Sequence, residues 1–528
     1  MLALLPMAPI VTAVLLYVLP FEKAAKTVAV AVQAALTAAA FYLFLRAKNG
    51  AIVTTAGSYD GALGITLTAD VLSSVMIALT AFIFLLAAVY SLTDGVGRLY
   101  WFFLFIWQGV ICGIFLSGDA FNVFVLLEVI AIVISVLIMY KRDNRSMYDG
   151  MVYLMVNSVA MQFFLFGAGY VYKLAGTLDM SAAASAIESA NRKDFVLPYA
   201  LVMTAVSLKC ALMPLFGWLP KAHGTPSAPS AVSAVLSGLH IKTGVYLLIR
   251  FQEFFGAVSV PKFFLAVGIV TGIGGFVFAV SQTDLKLMLA YSTISQMGLI
   301  VASVSIGDAY SYTGGVYHII SHALFKSALF FCAGIIASAY GTRDVREIRG
   351  VLRRMPSVGA ATAMAVLGIT GAPFFNGSIS KYFIMSGAGR VVTGAMLLIN
   401  LGTIVTFIKY SAMLFGRSGP GEVKSKTDYF KQAAILVPSV MCLFGGVFGE
   451  RAIGFLFGVN VSVDAAGYAE KTAIFALSGA AGYFIYKYFI RSNPLLEKIR
   501  AIDPGFRATC ASIGAFFAVT ALAAGCAS

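Results

Sequence analysis

A chain of 528 residues that is 60% apolar and 11% charged is not an ordinary soluble protein, since soluble domains run to about a quarter charged. Its formal net charge of +14 raises nucleic-acid binding as a reading, but the placement of those charges, taken up below, makes that reading unnecessary. The six cysteines (112, 210, 332, 442, 510 and 526) are scattered singly with no C-x-x-C pair, which argues against iron–sulfur, zinc or haem sites and for a chain with no cofactor of its own.

Apolar stretches recur from end to end, each near the length of about 18–25 residues that crosses a bilayer. The chain therefore reads as an all-α polytopic membrane protein. Hydropathy places sixteen spans at roughly 2–20, 27–45, 70–91, 100–117, 121–140, 150–172, 196–216, 230–250, 261–281, 287–305, 312–339, 358–386, 391–415, 432–449, 471–490 and 507–526. The first lacks a basic n-region and a small-residue cleavage site, so it is expected to be a retained helix rather than a signal peptide. The polar connections near 174–194 and 417–431 are long enough only for short helices or loops. A single membrane region without an appended soluble domain is the expectation.

Charge then suggests an orientation. With the N-terminus outside, 22 Lys and Arg residues fall in cytoplasmic connections and ten fall outside, the asymmetry of the positive-inside rule. The basic excess is thus a topology signal, with some attraction to anionic lipid headgroups. Five lysines remain inside spans: Lys209, Lys242, Lys326, Lys381 and Lys409. Among 23 acidic residues only Glu128 lies deep within one.

A lysine at the bilayer centre costs roughly 2.5–3.5 kcal/mol or more, so these positions must face protein or water. Paired with a switchable carboxylate, a buried lysine can take up and release a proton. Glu128, in FNVFVLLEVIAIVISVLIMY, has no basic helical neighbour and must be protonated or pair with another helix; a static ion pair is the alternative. Lys209 precedes Pro214, Gly217 and Pro220, and Lys381 lies beside Gly371, Pro373 and Gly377. Broken helices at membrane depth typically line ion or substrate sites, although a simple kink with a snorkelling lysine would look the same. Two such spans suggest related five-helix units, 100–250 and 251–416, flanked by N-terminal helices 1–99 and C-terminal helices 417–528. Lys242 sits well inside its span. His240 stands two positions earlier on another face, as a packing residue or a relay. Lys409 is about two turns from Arg417 and could snorkel. In HIISHALFKSALF, His318, His322 and Lys326 recur every four residues, placing two imidazoles and an ammonium on one helical face. Neutral imidazole both donates and accepts, which suits a proton relay.

Four stretches resemble one family: GDAFNVFVLLEVIAIVISVLI; LKCALMPLFGWLPKAHGTPSAPSAVSAVLSGLHIKTGVYLLIR; SQTDLKLMLAYSTISQMG; and YHIISHALFKSALFFCAG. They resemble the antiporter-like membrane subunits of respiratory complex I, the Mrp-type sodium/proton antiporters and the energy-converting hydrogenases. With YKLAGTLDM and GTRDVREIRGVLRRMP they look most like the D-type branch of the Mrp membrane subunits, over roughly residues 65–415. The resemblance implies about fourteen core helices, in which two inverted five-helix repeats each form a half-channel joined by a central line of protonatable residues. Carried over by position, Glu128 looks like the glutamate that controls Lys209, and Lys242 like a central lysine. His318, His322 and Lys326 look like the family's stripe, and Lys381 occupies the broken helix near its end. Some members have glutamate where Lys381 stands. About two C-terminal spans go beyond the shorter members, and His240 has no assigned counterpart.

The expected function is a translocating subunit that moves H⁺, with Na⁺ exchange open, inside a larger complex of sister membrane subunits in the cell inner membrane. Two alternatives are a structural or coupling subunit without an ion pathway, and the membrane partner of an inorganic-carbon uptake system. No nucleotide loop, metal cluster or nucleophile–base pair points to an enzyme within this chain. If the complex is redox-driven, it would be of the quinone-oxidoreductase or hydrogenase type, with its cofactors on other subunits.

Overall fold

The computed structural model describes residues 2–18, 22–57, 64–224, 228–416, 428–491 and 493–527. Residues 225–227 of the long central motif lie outside the described residues, as do Arg417, Lys424 and Lys426 and the side chain of Lys23. Among the described residues, thirteen helices are long and apolar enough to cross a membrane. The other three expected spans are short or interrupted: Leu4–Val18, Val196–Lys209 with Trp218–Gly224, and Pro356–Thr370 with Asn376–Ser386. The chain is a multi-pass, all-α membrane protein.

One element departs from the sequence reading. The connection after the second span forms an antiparallel hairpin of Ile52–Ala56 with Ile65–Ala69, in which Ile52 faces Ala69. Its second strand, ITLTA, alternates with the period of two that a half-buried strand needs. Thr66 then accepts a hydrogen bond from the Gly118 amide at 2.8 Å, which ties the hairpin to the start of the helix bearing Glu128.

The chain divides into two compact units. One comprises Met1–Val232, Leu239–Phe263 and Pro504–Ser528; the other comprises Ser233–Gly238 and Phe264–Asp503. Each contains the same arrangement. In the first, Asp119 caps Ala120–Ile138 and a 32-residue helix, Asn144–Ala175, follows. That helix ends at left-handed Gly176, and Asp179 returns to bridge Asp119. In the second, Asp284 caps Leu285–Val304, and the 32-residue helix Ala309–Tyr340 ends at left-handed Gly341. Asp344 then returns to Asp284. Even the closing bonds match: Ala120 N to Leu178 O and Met180 N to Gly118 O, against Leu285 N to Arg343 O and Val345 N to Thr283 O. The spacing is 60 residues within each pair and 165 between units. Under that offset Tyr153 and Asn157 correspond to His318 and His322.

Both interrupted spans contain a non-glycine residue with positive φ, Ala211 (52°) in one and Phe374 (68°) in the other. That conformation costs an L-residue about 1–2 kcal/mol, so the surrounding fold must impose the breaks. Close backbone approach fixes what surrounds them. A Cβ on Gly244 would lie 2.6 Å from the Lys209 carbonyl carbon, so only glycine lets the Ile241–Phe255 helix pack directly on the end of the Val196–Lys209 helix. In the second unit, Gly268 and Gly275 of Pro261–Ser281 meet the backbone of Leu285–Val304 in the same manner, and Gly298 meets the backbone of Pro261–Ser281 in return, the small-residue packing that membrane helices favour.

The two C-terminal spans join different units. Ala465–Ile485 packs on Arg390–Ser411, where Gly482 faces Ile404 and Ile408. Phe506–Ala527 packs on Val196–Lys209, with Phe517 against Phe163 and Phe516 against Phe263.

Candidate functional site

In the first unit Lys209 is the last residue of its helix and is buried. Its Nζ donates to Asn157 Oδ1 at 2.8 Å. Asn157 is itself fully buried and held by its Nδ2 on the Tyr153 carbonyl at 2.8 Å. Glu128 is half-buried on the neighbouring Ala120–Ile138 helix and interacts electrostatically with Lys209. Its Oε1 is buried and has no hydrogen-bond partner among the described residues. Lys209 thus has a neutral acceptor in contact and a carboxylate within reach, two partners that differ in the charge state they favour.

His240, which the sequence offers as a packing residue or a relay, belongs to this group in space. It is enclosed by Trp107, Trp218 and Tyr153, with ring centroids 6.0 and 6.5 Å from the two tryptophans. Its Nε2 lies 3.5 Å from the Tyr153 hydroxyl, and Lys209 influences it electrostatically. It closes a π-helical turn, Leu236–His240, which had no signal in the sequence; such turns often mark functional positions. Lys242 follows on the Ile241–Phe255 helix and is fully buried.

In the second unit the stripe residues His318, His322 and Lys326 are all fully buried on one helix. His318 Nε2 lies 2.9 Å from Gln296 Oε1, and its Nδ1 lies 2.8 Å from Ser380 Oγ. Gln296 is fixed in turn by Thr403 at 3.1 Å. Since an amide oxygen only accepts, Nε2 carries a proton and Nδ1 is the nitrogen that can change state. The Ser380 hydroxyl can donate to a bare Nδ1, or turn to the Gly377 carbonyl at 3.2 Å and accept from a protonated one. The His322 ring is 6.4 Å from that of His318. Lys326 Nζ donates to the Leu289 carbonyl at 2.9 Å and to Ser292 Oγ, and lies 5.7 Å from the Phe407 ring.

Lys381 is buried, and its Nζ donates to the Ile369 carbonyl and Asn400 Oδ1, both at 2.7 Å. Sequence placed it as a counterpart of Lys209. Their settings differ: Lys209 ends the half-helix before a break, whereas Lys381 rises from the half-helix after one and caps the preceding half. It follows Ser380 in the chain, so the stripe and the broken helix meet at His318–Ser380. Lys409 donates to the Val280 and Gln282 carbonyls at 2.7 and 2.6 Å, closing the end of Pro261–Ser281. It acts there as a helix cap.

Sequence reasoning missed Asn157, Gln296, Ser380 and Asn400, the neutral groups that hold the titratable ones. No cluster of three or more metal-ligating side chains occurs among the described residues.

Comparison with known proteins agrees with this architecture. The model of the NADH:quinone oxidoreductase/Mrp antiporter transmembrane family matches residues 117–408. The N-type subunit of the NADH-quinone oxidoreductase of Desulforudis audaxviator is 33% identical, over 74% of this chain and 83% of its own length. The D-type subunit of the Na⁺/H⁺ antiporter of Alkalihalophilus pseudofirmus is 29% identical, over 74% of this chain and 81% of its own. The structure of the Mrp complex from Dietzia sp. contains a chain that superposes with a TM-score of 0.79 at 21% identity, covering 95% of this chain and 99% of that one. The chain belongs to the NADH:quinone oxidoreductase/Mrp antiporter transmembrane family.

Proposed function

We propose that this chain is a proton-translocating subunit of a multisubunit membrane complex, exchanging H⁺ for Na⁺ where the complex works as an antiporter. The residues that carry it are Glu128, Lys209 and Lys242 in one half-channel, 100–250, and His318, His322, Lys326 and Lys381 in the other, 251–416. Sister membrane subunits, the cell inner membrane and an external N-terminus complete the reading. The relatives named above support the complex, and the charge asymmetry of the connections supports the orientation.

The observation that carries the proposal is Lys209, buried against neutral Asn157 while within electrostatic reach of Glu128. A proton arriving on the amine makes an ammonium, which Glu128 then stabilises; neutralising Glu128 removes that stabilisation and returns the proton to the pathway. In the other half, the Ser380 hydroxyl can follow the charge on His318. Lys326 and Lys381 hold neutral oxygen acceptors that serve an ammonium and tolerate an amine, so a proton can leave without stranding a buried carboxylate.

Vesicles carrying the assembled complex test the reading through quenching of a pH-sensitive dye. Lys209→Ala and Lys381→Ala should each abolish gradient formation while the complex still assembles. Full pumping by either variant overturns the proposal.

A second reading has one observation in its favour: Lys381 and Lys409 both cap helix carbonyls, as purely structural lysines would. If the charges only hold helices together, Glu128→Gln should reduce the amount of assembled complex in proportion to the lost transport. On the translocation reading, assembly is retained and transport alone falls.

A further inference from the structure

A basic cleft in the second unit is lined by none of His318, His322, Lys326 and Lys381. It encloses about 410 Å³, within the range of small-molecule sites. Arg346, Arg349, Lys409, Arg491 and Arg500 line it, against the single carboxylate of Glu497. Local bonds occupy only part of this donor capacity. Arg346 forks onto Asp344, Arg349 gives Nη1 to the Val345 and Ile348 carbonyls, and Arg500 gives Nε to the Ser281 carbonyl at 2.9 Å. A guanidinium has five N–H donors, so most of those on Arg349 and Arg500 remain available, and Arg491 adds another set.

The location selects the anion. Three helices of membrane-spanning length end at the cleft: Pro261–Ser281, Arg390–Ser411 and Ala465–Ile485, the last through the π-turn Tyr486–Ile490. The helix ends bring the cations to headgroup depth. Tyr486, Ile490 and Leu496 give the cleft an apolar wall on that side. Arginine suits phosphate oxygens through its bidentate fork. Basic pockets between membrane helices take lipid phosphates in this manner.

We propose that this cleft binds the phosphate headgroup of an anionic phospholipid. The bound lipid fastens Arg491 and Arg500 to Thr283 and to the connection Val345–Arg349 of the same unit. Arg491 and Arg500 supply the lipid-selective contacts, since Arg346 is engaged by Asp344 and Lys409 by backbone carbonyls.

The test uses the full chain in detergent micelles holding equal amounts of phosphatidylcholine and phosphatidylglycerol, followed by native mass spectrometry. One phosphatidylglycerol per chain should be retained in preference to phosphatidylcholine. The double variant Arg491→Gln/Arg500→Gln should bind it about tenfold more weakly or worse. Arg192→Gln/Lys193→Gln, which removes two exposed charges from the first unit, should bind as the unaltered chain does. Equal weakening by both double variants would mean a diffuse surface-charge effect and overturn the proposal. Complete displacement of the lipid by millimolar inorganic phosphate would assign the cleft to free phosphate and overturn the lipid assignment. If Arg491→Gln/Arg500→Gln does not fold, the unaltered chain still decides: no preference for phosphatidylglycerol over phosphatidylcholine refutes the site.

Discussion

Asn157 holds the Lys209 amine. Its carbonyl oxygen is the acceptor in contact with the buried amine, and its own orientation is fixed by the Tyr153 carbonyl. A hydrogen bond to a charged group contributes roughly 1.5–3 kcal/mol. Asn157→Leu should therefore slow dye-detected proton transport by about tenfold to a hundredfold, on the conversion of 1.4 kcal/mol per decade. Asn157→Asp should fail for the opposite reason, because a permanent carboxylate holds the ammonium charged whatever Glu128 does. Transport by Asn157→Asp at the unaltered rate would remove Asn157 from the pathway. At His318, Ser380→Ala should slow transport and Ser380→Thr should restore most of it, since only the hydroxyl is needed. Among residues, the charged members of the site were legible because charge in an apolar span is costly and therefore conspicuous. Their neutral partners were not. Asn157, Gln296 and Asn400 are uncharged, lie on other helices and are 52, 22 and 19 positions from the groups they hold. Only tertiary packing brings them together.

Among elements, glycines and caps decide where those side chains stand. Gly244→Ala would place a methyl 2.6 Å from the Lys209 carbonyl carbon, and neither backbone can yield locally. The Ile241–Phe255 helix must move outward, carrying Lys242 with it. Proton transport in reconstituted vesicles should fall sharply, together with the melting temperature of the purified protein. Gly244→Ala with unaltered transport would show that Lys209 and Lys242 tolerate displacement. At the far end of the same helix, Arg250 pairs with Asp70, which also caps Val71–Ser91. Burial pushes the Asp70 carboxyl up, but Arg250 and the Ser73 amide outweigh it and hold it below the usual carboxylate range. A carboxyl depressed on folding stabilises the protein above its unfolded pKa, near 4, and that contribution disappears as pH falls through the folded value. Asp70→Asn keeps a competent cap but loses the pair. Its melting temperature should lie below that of the unaltered protein at pH 7 and converge with it in strongly acidic buffer. The two broken helices could be read from Pro214, Pro373 and their glycines. The π-turn at Leu236–His240 and the hairpin at Ile52–Ala69 could not, because one has no residue signature and the other is too short for its alternation to stand out.

At the scale of the whole molecule, the internal repeat is kept by geometry more than by residue identity. The bridged aspartates at 119 and 179 recur at 284 and 344, while Tyr153 and Asn157 give way to His318 and His322. Each unit therefore holds the same frame with different hydrogen-bonding groups on its long helix, so sequence shows two broken spans but little else of the relation. The C-terminal spans looked like additions to a finished core. Their packing gives them separate duties, with Ala465–Ile485 on one unit and Phe506–Ala527 on the other. The last helix packs on Val196–Lys209, and a Cβ added at Gly217 of the break would lie 3.2 Å from both Pro504 Cβ and Thr509 Oγ1. Lipid tails are as apolar as this helix, so its contribution comes from close packing and not from exclusion of water. Truncation after Asp503 should accordingly leave a protein that inserts, with lipid filling the vacated face and the break after Lys209 less firmly held. Amide hydrogen exchange should rise within residues 207–220 while the Leu285–Val304 helix of the other unit stays protected. Transport should fall further than the amount of inserted protein. Unchanged exchange at 207–220 in the truncated chain would show that the break is held by its own unit without the last helix.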